Sequence, residues 1–161
     1  MKTLFLLIGT NKYLPLALQA AESLKRYVKA TEQVDCMLYT NHHHSYVPSH
    51  LFRYTARIDP LPWPLTTLLR YHYFLTDEAL ISDYDYVYFI NANAKCIAPI
   101  GSEILGNLVA CQHPGLWGRA AADLPFDRNP SSNASIPYHT MHDKYYFGFF
   151  NGGKTDRYLE L

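Results

Sequence analysis

The amino-acid sequence predicts an α/β fold, a sheet with flanking helices, because short apolar segments alternate with segments of helical periodicity. The predicted order of elements is β-α-β-β-α-β. A second observation is that polar clusters follow two of the predicted strands, at Gly9–Lys12 and at Asn91–Asn93. Ligands of α/β sheets bind beyond the carboxyl ends of the strands, so these two loops predict a binding site at one edge of the sheet.

The first half of the chain supplies a strand, a helix and two more strands. Thr3–Gly9 is a short apolar run ended by a glycine, which is typical of a buried strand. Leu14–Val28 has apolar residues three and four positions apart and Pro15 in its first turn, which predicts a helix. Val34–Thr40 predicts the second strand and Leu51–Ile58 predicts the third.

The second half begins with three prolines, after which a helix is predicted over residues 66–79. Asp85–Ile90 is rich in aromatic and β-branched residues and predicts a strand. Gly115–Pro137 lacks periodicity and predicts a long loop, of the kind that is usually functional or mobile. Lys144–Phe150 predicts a last strand. The glycine pair 152–153 ends it, and a turn is the simpler interpretation of this pair. Alternatively, the pair supplies positive φ or lets the backbone approach a ligand closely. Two weaker segments and a C-terminal helix complete the prediction: Ile97–Leu105, Leu108–Gln112 and Thr155–Leu161.

Length and composition restrict the classes of protein. The chain has 161 residues, 48% hydrophobic and 17% charged, which suits one globular domain and excludes a disordered chain. Its 14 basic and 14 acidic residues give no net charge, which argues against nucleic-acid binding. The apolar run Leu4–Ile8 is far shorter than the ~20 residues that cross a bilayer, and no secretory signal precedes it, so we expect a cytoplasmic protein without a membrane span. The three cysteines form no Cys-x-x-Cys motif, so neither a disulfide framework nor a zinc knuckle is predicted.

Two features stand out as candidates for ligand binding. Asn91-Ala92-Asn93 places two amides at the end of a strand, where both side chains can bond a phosphate or a sugar hydroxyl, although an Asx turn is the simpler explanation of the tripeptide by itself. Arg70 lies on the predicted helix, and its guanidinium suits bidentate phosphate contact, although it also suits a plain surface position.

Histidines supply the candidate metal ligands. His42-His43-His44, with His50 nearby, lies in an irregular loop, where consecutive residues rarely converge on one ion. The segment His139-x-x-His142-Asp143 has ligand spacing only if it is helical, and Pro137 weakens that interpretation. We therefore expect no metal at either place.

Several short segments, taken in order, carry a resemblance that covers essentially the whole chain. They are Asn11-Lys12-Tyr13, Leu38-Tyr39-Thr40-Asn41, Leu68 through His72, Tyr86 through Asn93, Pro99-Ile100-Gly101-x-Glu103-Ile104-Leu105, His113-Pro114-Gly115, Ile136-Pro137 and Tyr145-Tyr146-x-Gly148. In this order and spacing they resemble glycosyltransferase family 6, which includes the blood-group A and B transferases, the α-1,3-galactosyltransferases, and shorter bacterial and phage members.

The resemblance implies a Rossmann-like nucleotide-sugar-binding sheet of the GT-A type and a retaining transferase. Such an enzyme moves galactose or N-acetylgalactosamine from UDP to a β-galactoside in α-1,3 linkage, so the implied partners are a UDP-sugar donor and a glycan acceptor. The residues that match the family's site positions are Ile8, Thr10, Tyr13, Arg70, Asn91 and Asn93 for UDP, Phe147, Gly148 and Phe149 for the donor sugar, and His113 for the acceptor.

The same resemblance implies that no cofactor is needed. Asn91-Ala92-Asn93 stands where the vertebrate enzymes carry an Asp-x-Asp metal motif, and it is similar to the Asn-x-Asn form of bacterial members that work without metal. Amides lack the charge that holds a divalent cation against a diphosphate, so we expect no Mn²⁺. Lys95, two residues further on, is a candidate for part of the missing positive charge.

Three departures from the family pattern limit what the resemblance implies. Phe149 stands where relatives often have a small residue, which narrows the donor-sugar pocket, and Pro125 stands where a relative uses a hydroxyl toward the acceptor. The family's glutamate, on the β face of the anomeric carbon, would lie beyond Leu161, so we expect no catalytic residue of that kind here. We therefore interpret residues 1–161 as the N-terminal two-thirds of one glycosyltransferase domain, whose open sheet edge would favour self-association.

Alternatives to an active transferase stay open at this point. Without the family glutamate, the chain is also consistent with a non-catalytic module that binds a UDP-sugar or a glycan. A third alternative is an α/β scaffold whose site has decayed. Binding of UDP separates the first two from the third, and sugar transfer separates the first from the second.

Overall fold

The computed structural model describes residues 1–138 and 144–161. These residues form two compact units. The larger unit holds Met1–Val109 and Phe149–Leu161, and the smaller unit holds Ala110–Gly148 apart from its undescribed residues.

The secondary structure follows the predicted order closely. The strands are β1 (Lys2–Ile8), β2 (Gln33–Thr40), β3 (Tyr54–Arg57), β4 (Tyr86–Ile90), β5 (Leu108–Gln112) and β6 (Tyr146–Lys154). The helices are α1 (Leu14–Tyr27), α2 (Leu65–Leu68), α3 (Arg70–Thr76), α4 (Glu78–Ile81) and α5 (Thr155–Leu159). Short 3-10 turns occupy the connections at Asn11–Tyr13, His44–Tyr46, Ser102–Ile104, Pro114–Leu116 and Ala121–Asp123.

The six strands form one mixed sheet in the order β3-β2-β1-β4-β6-β5. β1 pairs in parallel with both β2 and β4, and β2 pairs in parallel with β3. β6 pairs antiparallel with β4. This α/β architecture confirms the predicted fold class, and it places the carboxyl ends of β1, β2 and β4 at one edge of the sheet.

The core lies on both faces of the central strand. Leu4–Leu7 in β1 is fully buried, as expected of a parallel strand covered on each side. Helix α1 begins with Pro15 in its first turn and turns a face of small residues, Ala17, Ala20 and Ala21, into the interior together with Leu24. The small residues allow the helix to lie close to the sheet.

The predicted helix over residues 66–79 is in fact three short helices. The chain departs from α geometry at Leu69, where ψ is 4°, and at Asp77, where ψ is 21°. At the second break the backbone N–H of Asp77 bonds the carbonyl oxygen of Phe74, three residues back, instead of four. As a consequence, Arg70 is the first residue of α3 and not an interior residue of a longer helix.

The glycine pair 152–153 lies inside β6, so the turn interpretation of this pair is wrong. A Cβ atom at Gly152 would lie 2.1 Å from the carbonyl oxygen of Val87 in β4. Gly153 has φ of 145°, and a Cβ there would lie 2.2 Å from the carbonyl oxygen of Asn107. The pair therefore provides the positive φ that the sequence suggested, together with a close approach to protein backbone.

The smaller unit contains the predicted long loop, and Arg128 organises it. The guanidinium donates to the carbonyl oxygens of Ile136 (2.6 Å) and Ala121 (2.9 Å). It also lies over the rings of Phe126 (5.1 Å) and Tyr138 (4.4 Å). A single side chain thus joins the two ends of a segment that has little regular structure.

The described part of the chain has no helix that is long and apolar enough to cross a membrane.

Candidate functional site

A cavity of about 720 Å³ opens in the larger unit beyond the carboxyl ends of β1 and β4. It is lined by three segments: the end of β1 with the following turn, the stretch from Leu61 to Arg70, and the end of β4 with the following tripeptide. The residues at its wall are Ile8, Thr10, Asn11, Lys12, Tyr13, Leu61, Pro62, Trp63, Thr66, Thr67, Arg70, Phe89, Asn91, Ala92 and Asn93. The six residues predicted to bind UDP are all among them.

Arg70 reaches this cavity across an aromatic support. Its guanidinium carbon lies 4.7 Å from the ring centroid of Phe89 and 4.9 Å from that of Tyr71. One guanidinium nitrogen donates to the phenolic oxygen of Tyr71 at 3.3 Å. Because the two rings hold the planar group, its orientation is set before any ligand arrives.

Asn91-Ala92-Asn93 forms a turn that is anchored to the sheet. The backbone N–H of Asn91 donates to the carbonyl oxygen of Phe149 (2.9 Å), and the N–H of Ala94 donates to the carbonyl oxygen of Asn91 (2.9 Å). Ala92 is buried, whereas Asn91 is half-buried and Asn93 is exposed. The tripeptide is therefore a turn, and it also lies at the wall of the cavity, so the two interpretations of the sequence are compatible.

The charge of the cavity wall has one sign. Lys12 and Arg70 are cationic, and the described lining residues include no aspartate, glutamate, histidine or cysteine. Neutral amides and hydroxyls supply the other polar groups. Such a wall favours an anionic ligand. Lys95 is exposed and is not among the lining residues, whereas Lys12 is one of them.

Trp63 is a wall residue that the sequence analysis missed. Its side chain is 87% exposed, although a large aromatic ring is costly to leave in water. The signal in the sequence is its position between Pro62 and Pro64, two residues that restrict the backbone of the segment. An exposed flat ring at a cavity mouth is a suitable surface for a base or a sugar ring.

The donor set does not fit a tightly held divalent metal. In the described ranges, no three residues among histidine, cysteine, aspartate and glutamate are grouped as metal ligands would be. The ring of His42 bonds the carbonyl oxygen of Asn11, and the ring of His43 bonds the side chain of Ser45. The second candidate, His139, His142 and Asp143, lies outside the described residues. Metal independence itself stays a prediction.

In the smaller unit, His113 lies in an aromatic cluster. Its ring meets that of Phe147 edge-on at 5.0 Å and that of Tyr145 at 6.2 Å. Its Nδ1 accepts a hydrogen bond from the backbone N–H of Gly115 at 3.2 Å, so the neutral ring carries its proton on Nε2. His113 thus offers one N–H donor beside aromatic surface, which suits a sugar hydroxyl. Of the donor-sugar candidates, Gly148 also belongs to this unit and Phe149 belongs to the larger one.

The cysteines are not activated. Burial raises the pKa of the Cys36 thiol to about 12 and also raises the pKa values of Cys96 and Cys111. All three thiols stay protonated at neutral pH, so the structure supports none of them as a nucleophile.

Comparison with known proteins places this chain in a family. A family model described as glycosyltransferase family 6 matches residues 72–161, more than half of the chain. The chain is similar to the O-antigen biosynthesis glycosyltransferase WbnI of Escherichia coli, with 30% identity over 77% of this chain and 53% of the relative.

Two mammalian proteins are also similar to it. The histo-blood group ABO system transferase 2 of Rattus norvegicus is 34% identical over 50% of this chain and 24% of its own length. The globoside alpha-1,3-N-acetylgalactosaminyltransferase 1 of Mus musculus is 32% identical over 48% of this chain and 22% of its own length. The chain thus matches about half of the bacterial relative and about a quarter of each mammalian one. The family model and the bacterial relative together show that the chain belongs to glycosyltransferase family 6.

Proposed function

We propose that this chain is the UDP-sugar-binding part of a metal-independent, retaining glycosyltransferase. The reaction we propose moves galactose or N-acetylgalactosamine from UDP to a β-galactoside, in α-1,3 linkage. The observation that carries the proposal is the cavity at the sheet edge. All six predicted UDP-binding residues lie in its wall, and among the described residues this wall holds two cations and no carboxylate.

The wall divides into a part suited to the base and a part suited to the diphosphate. Ile8 and Tyr13 offer an apolar and an aromatic surface against which uracil can lie, with Thr10 beside them as a hydrogen-bonding group. Arg70 supplies a planar fork for the phosphate oxygens. Asn91 and Asn93 supply amide N–H donors, and Lys12 adds a second positive charge.

In a retaining transfer the bond between the anomeric carbon and the UDP oxygen breaks, and UDP departs with that electron pair. Negative charge therefore grows on the leaving diphosphate. A cation fixed beside the departing oxygens stabilises that charge more than it stabilises the bound donor. The aromatic support of Arg70 favours this role, and we assign Lys12 a share of it. These two side chains would do electrostatically what a divalent cation does in relatives with a carboxylate motif.

The donor and acceptor assignments rest on the resemblance and on the aromatic cluster of the smaller unit. Phe147, Gly148 and Phe149 would select the donor sugar. His113 would donate its Nε2 proton to a hydroxyl of the acceptor galactose, while neighbouring rings pack against sugar C–H groups. The name of the mouse relative, an alpha-1,3-N-acetylgalactosaminyltransferase, supports the linkage and one of the two donor sugars.

Titration calorimetry of the 161-residue chain with UDP, UDP-galactose and UDP-N-acetylgalactosamine tests the proposal. We expect binding of UDP, with the same affinity in the presence of EDTA. Absence of binding would contradict the nucleotide site, and loss of binding in EDTA would contradict metal independence. An assay of sugar transfer to a β-galactoside then separates a transferase from a module that only binds.

The amide tripeptide allows a sharper test of the metal question. Replacing Asn91 and Asn93 together by aspartate places two carboxylates beside the diphosphate, so we expect UDP to bind weakly alone and more tightly with Mn²⁺. Asn133→Asp, in the exposed loop of the smaller unit, is the control, and its UDP affinity should equal that of the unaltered chain both without and with Mn²⁺. If Mn²⁺ has no effect on the double variant, the correspondence with the Asp-x-Asp motif is wrong.

A further inference from the structure

One wall residue of the cavity has an unusual backbone. Asn11 has φ of 49°, in the left-handed region that residues other than glycine seldom occupy. It lies between Thr10 and Tyr13, the two residues proposed to meet the base. A residue in this conformation tends to relax unless its surroundings hold it, and such residues concentrate at binding sites.

Three hydrogen bonds from the loop after β2 converge on Asn11. Its backbone N–H donates to Oδ1 of Asn41 at 2.8 Å, and its side-chain oxygen accepts from Nδ2 of Asn41 at 2.9 Å. Its carbonyl oxygen lies 2.9 Å from Nε2 of His42, which donates because a carbonyl can only accept. Both backbone polar groups and the side chain of Asn11 are thus bonded to two consecutive residues.

The loop after β2, which carries Asn41 and His42, is itself fixed to the sheet. Thr40, fully buried at the end of β2, donates its hydroxyl to the carbonyl oxygen of Gly9 at 2.7 Å. The same hydroxyl accepts the backbone N–H of His42 at 3.2 Å. The turn after β1 and the loop after β2 are therefore joined both before and at Asn11. Neither Asn41 nor His42 is among the residues that line the cavity.

We propose that Asn41 and His42 are positioning residues, which hold Asn11 in its left-handed conformation and so preform the base side of the UDP site. This inference rests on the proposed function. A preformed wall binds more tightly because the affinity of a site falls in proportion to the fraction of molecules that hold the competent conformation. Polar bonds are suited to this task because Asn11 is exposed and has little packing to hold it.

The hydrogen bonds of Asn41 and His42 with Asn11 are called the clamp below. The first test removes the two bonds that Asn41 makes and measures two quantities. Asn41→Ala should weaken UDP binding about tenfold, because the competent conformation is then less populated. It should also speed hydrogen exchange of the Tyr13 amide in the ligand-free protein, since that N–H bonds the carbonyl of Thr10 inside the same turn (2.9 Å). His43→Ala is the matched control and should change neither quantity, because the ring of His43 hydrogen-bonds to Ser45 of its own loop and to no other described residue.

A rescue experiment separates positioning from direct ligand contact. Glycine adopts positive φ without strain, so Asn11→Gly in the Asn41→Ala background should recover most of the lost affinity. Asn11→Ala in the wild-type background should show the same loss of UDP affinity and the same faster exchange of the Tyr13 amide as Asn41→Ala, because alanine disfavours the left-handed region. If Asn41 acted by touching the nucleotide, the glycine would restore nothing.

The outcomes distinguish this inference from the proposed function. If the unaltered chain binds no UDP, the proposed function fails, and the exchange of Tyr13 in the ligand-free variants still tests the clamp. Unchanged exchange and unchanged UDP affinity in Asn41→Ala, below its melting temperature, would overturn the inference. Weaker binding that Asn11→Gly leaves unimproved would overturn it as well.

Discussion

Replacing Gly152 by alanine should strongly destabilise the sheet of the larger unit. The added Cβ would lie 2.1 Å from the carbonyl oxygen of Val87 and 2.6 Å from Cα of Tyr88. Both are backbone atoms of β4, which is paired with β1 on its other side and cannot withdraw. Rotation of a side chain cannot relieve such a clash, so we expect a loss of about 3 kcal/mol or more in the free energy of unfolding.

Urea unfolding followed by circular dichroism measures this effect. Gly115→Ala is the matched control, since its added Cβ would lie 3.3 Å from Cε1 and 3.5 Å from Nδ1 of the His113 side chain and meets no backbone atom of a neighbouring strand. Its free energy of unfolding should change by less than about 1 kcal/mol. A Gly152→Ala protein with the same midpoint as the unaltered chain would show that β4 and β6 are not paired as described.

The parts of the fold that could be predicted are those that local pattern determines. Buried strands have continuous apolar runs, so β1 and β4 were predicted to within one or two residues of their observed bounds. Helix α1 followed from its periodicity. The breaks at Leu69 and Asp77 could not be foreseen, because residues 66–79 contain no glycine or proline that would mark a break and leucine is a strong helix former. The glycine pair was misjudged because composition cannot tell a turn from two strands in close approach.

The site was predictable to a similar degree. Polar loops after β1 and β4 pointed to the sheet edge at which the cavity opens, because parallel strands bring their carboxyl ends together. Arg70 was assigned through the family resemblance, since an arginine on a predicted helix has no distinctive pattern. Trp63 and the clamp on Asn11 went unnoticed, because exposure and positive φ are properties of the folded chain and not of local sequence.

Loss of the Arg70 guanidinium should weaken UDP binding by about 1–3 kcal/mol, which is roughly 5- to 150-fold in Kd, because a charge-assisted hydrogen bond to phosphate is removed. Arg70→Ala tests this by titration calorimetry, and Arg119→Ala, an exposed arginine of the smaller unit, should leave the affinity unchanged. Arg70→Lys should recover only part of the loss, since an ammonium keeps the charge and lacks the planar fork.

The contribution of Arg70 must be separated from its packing on Phe89, where its guanidinium carbon lies 4.7 Å from the ring centroid. Uridine, which lacks the diphosphate, makes this separation. If Arg70 acts on phosphate, uridine should bind Arg70→Ala and the unaltered chain equally, while UDP discriminates between them. An equal loss for both ligands would mean that Arg70 shapes the cavity through Phe89, and the charge that stabilises the departing UDP would then have to come from Lys12.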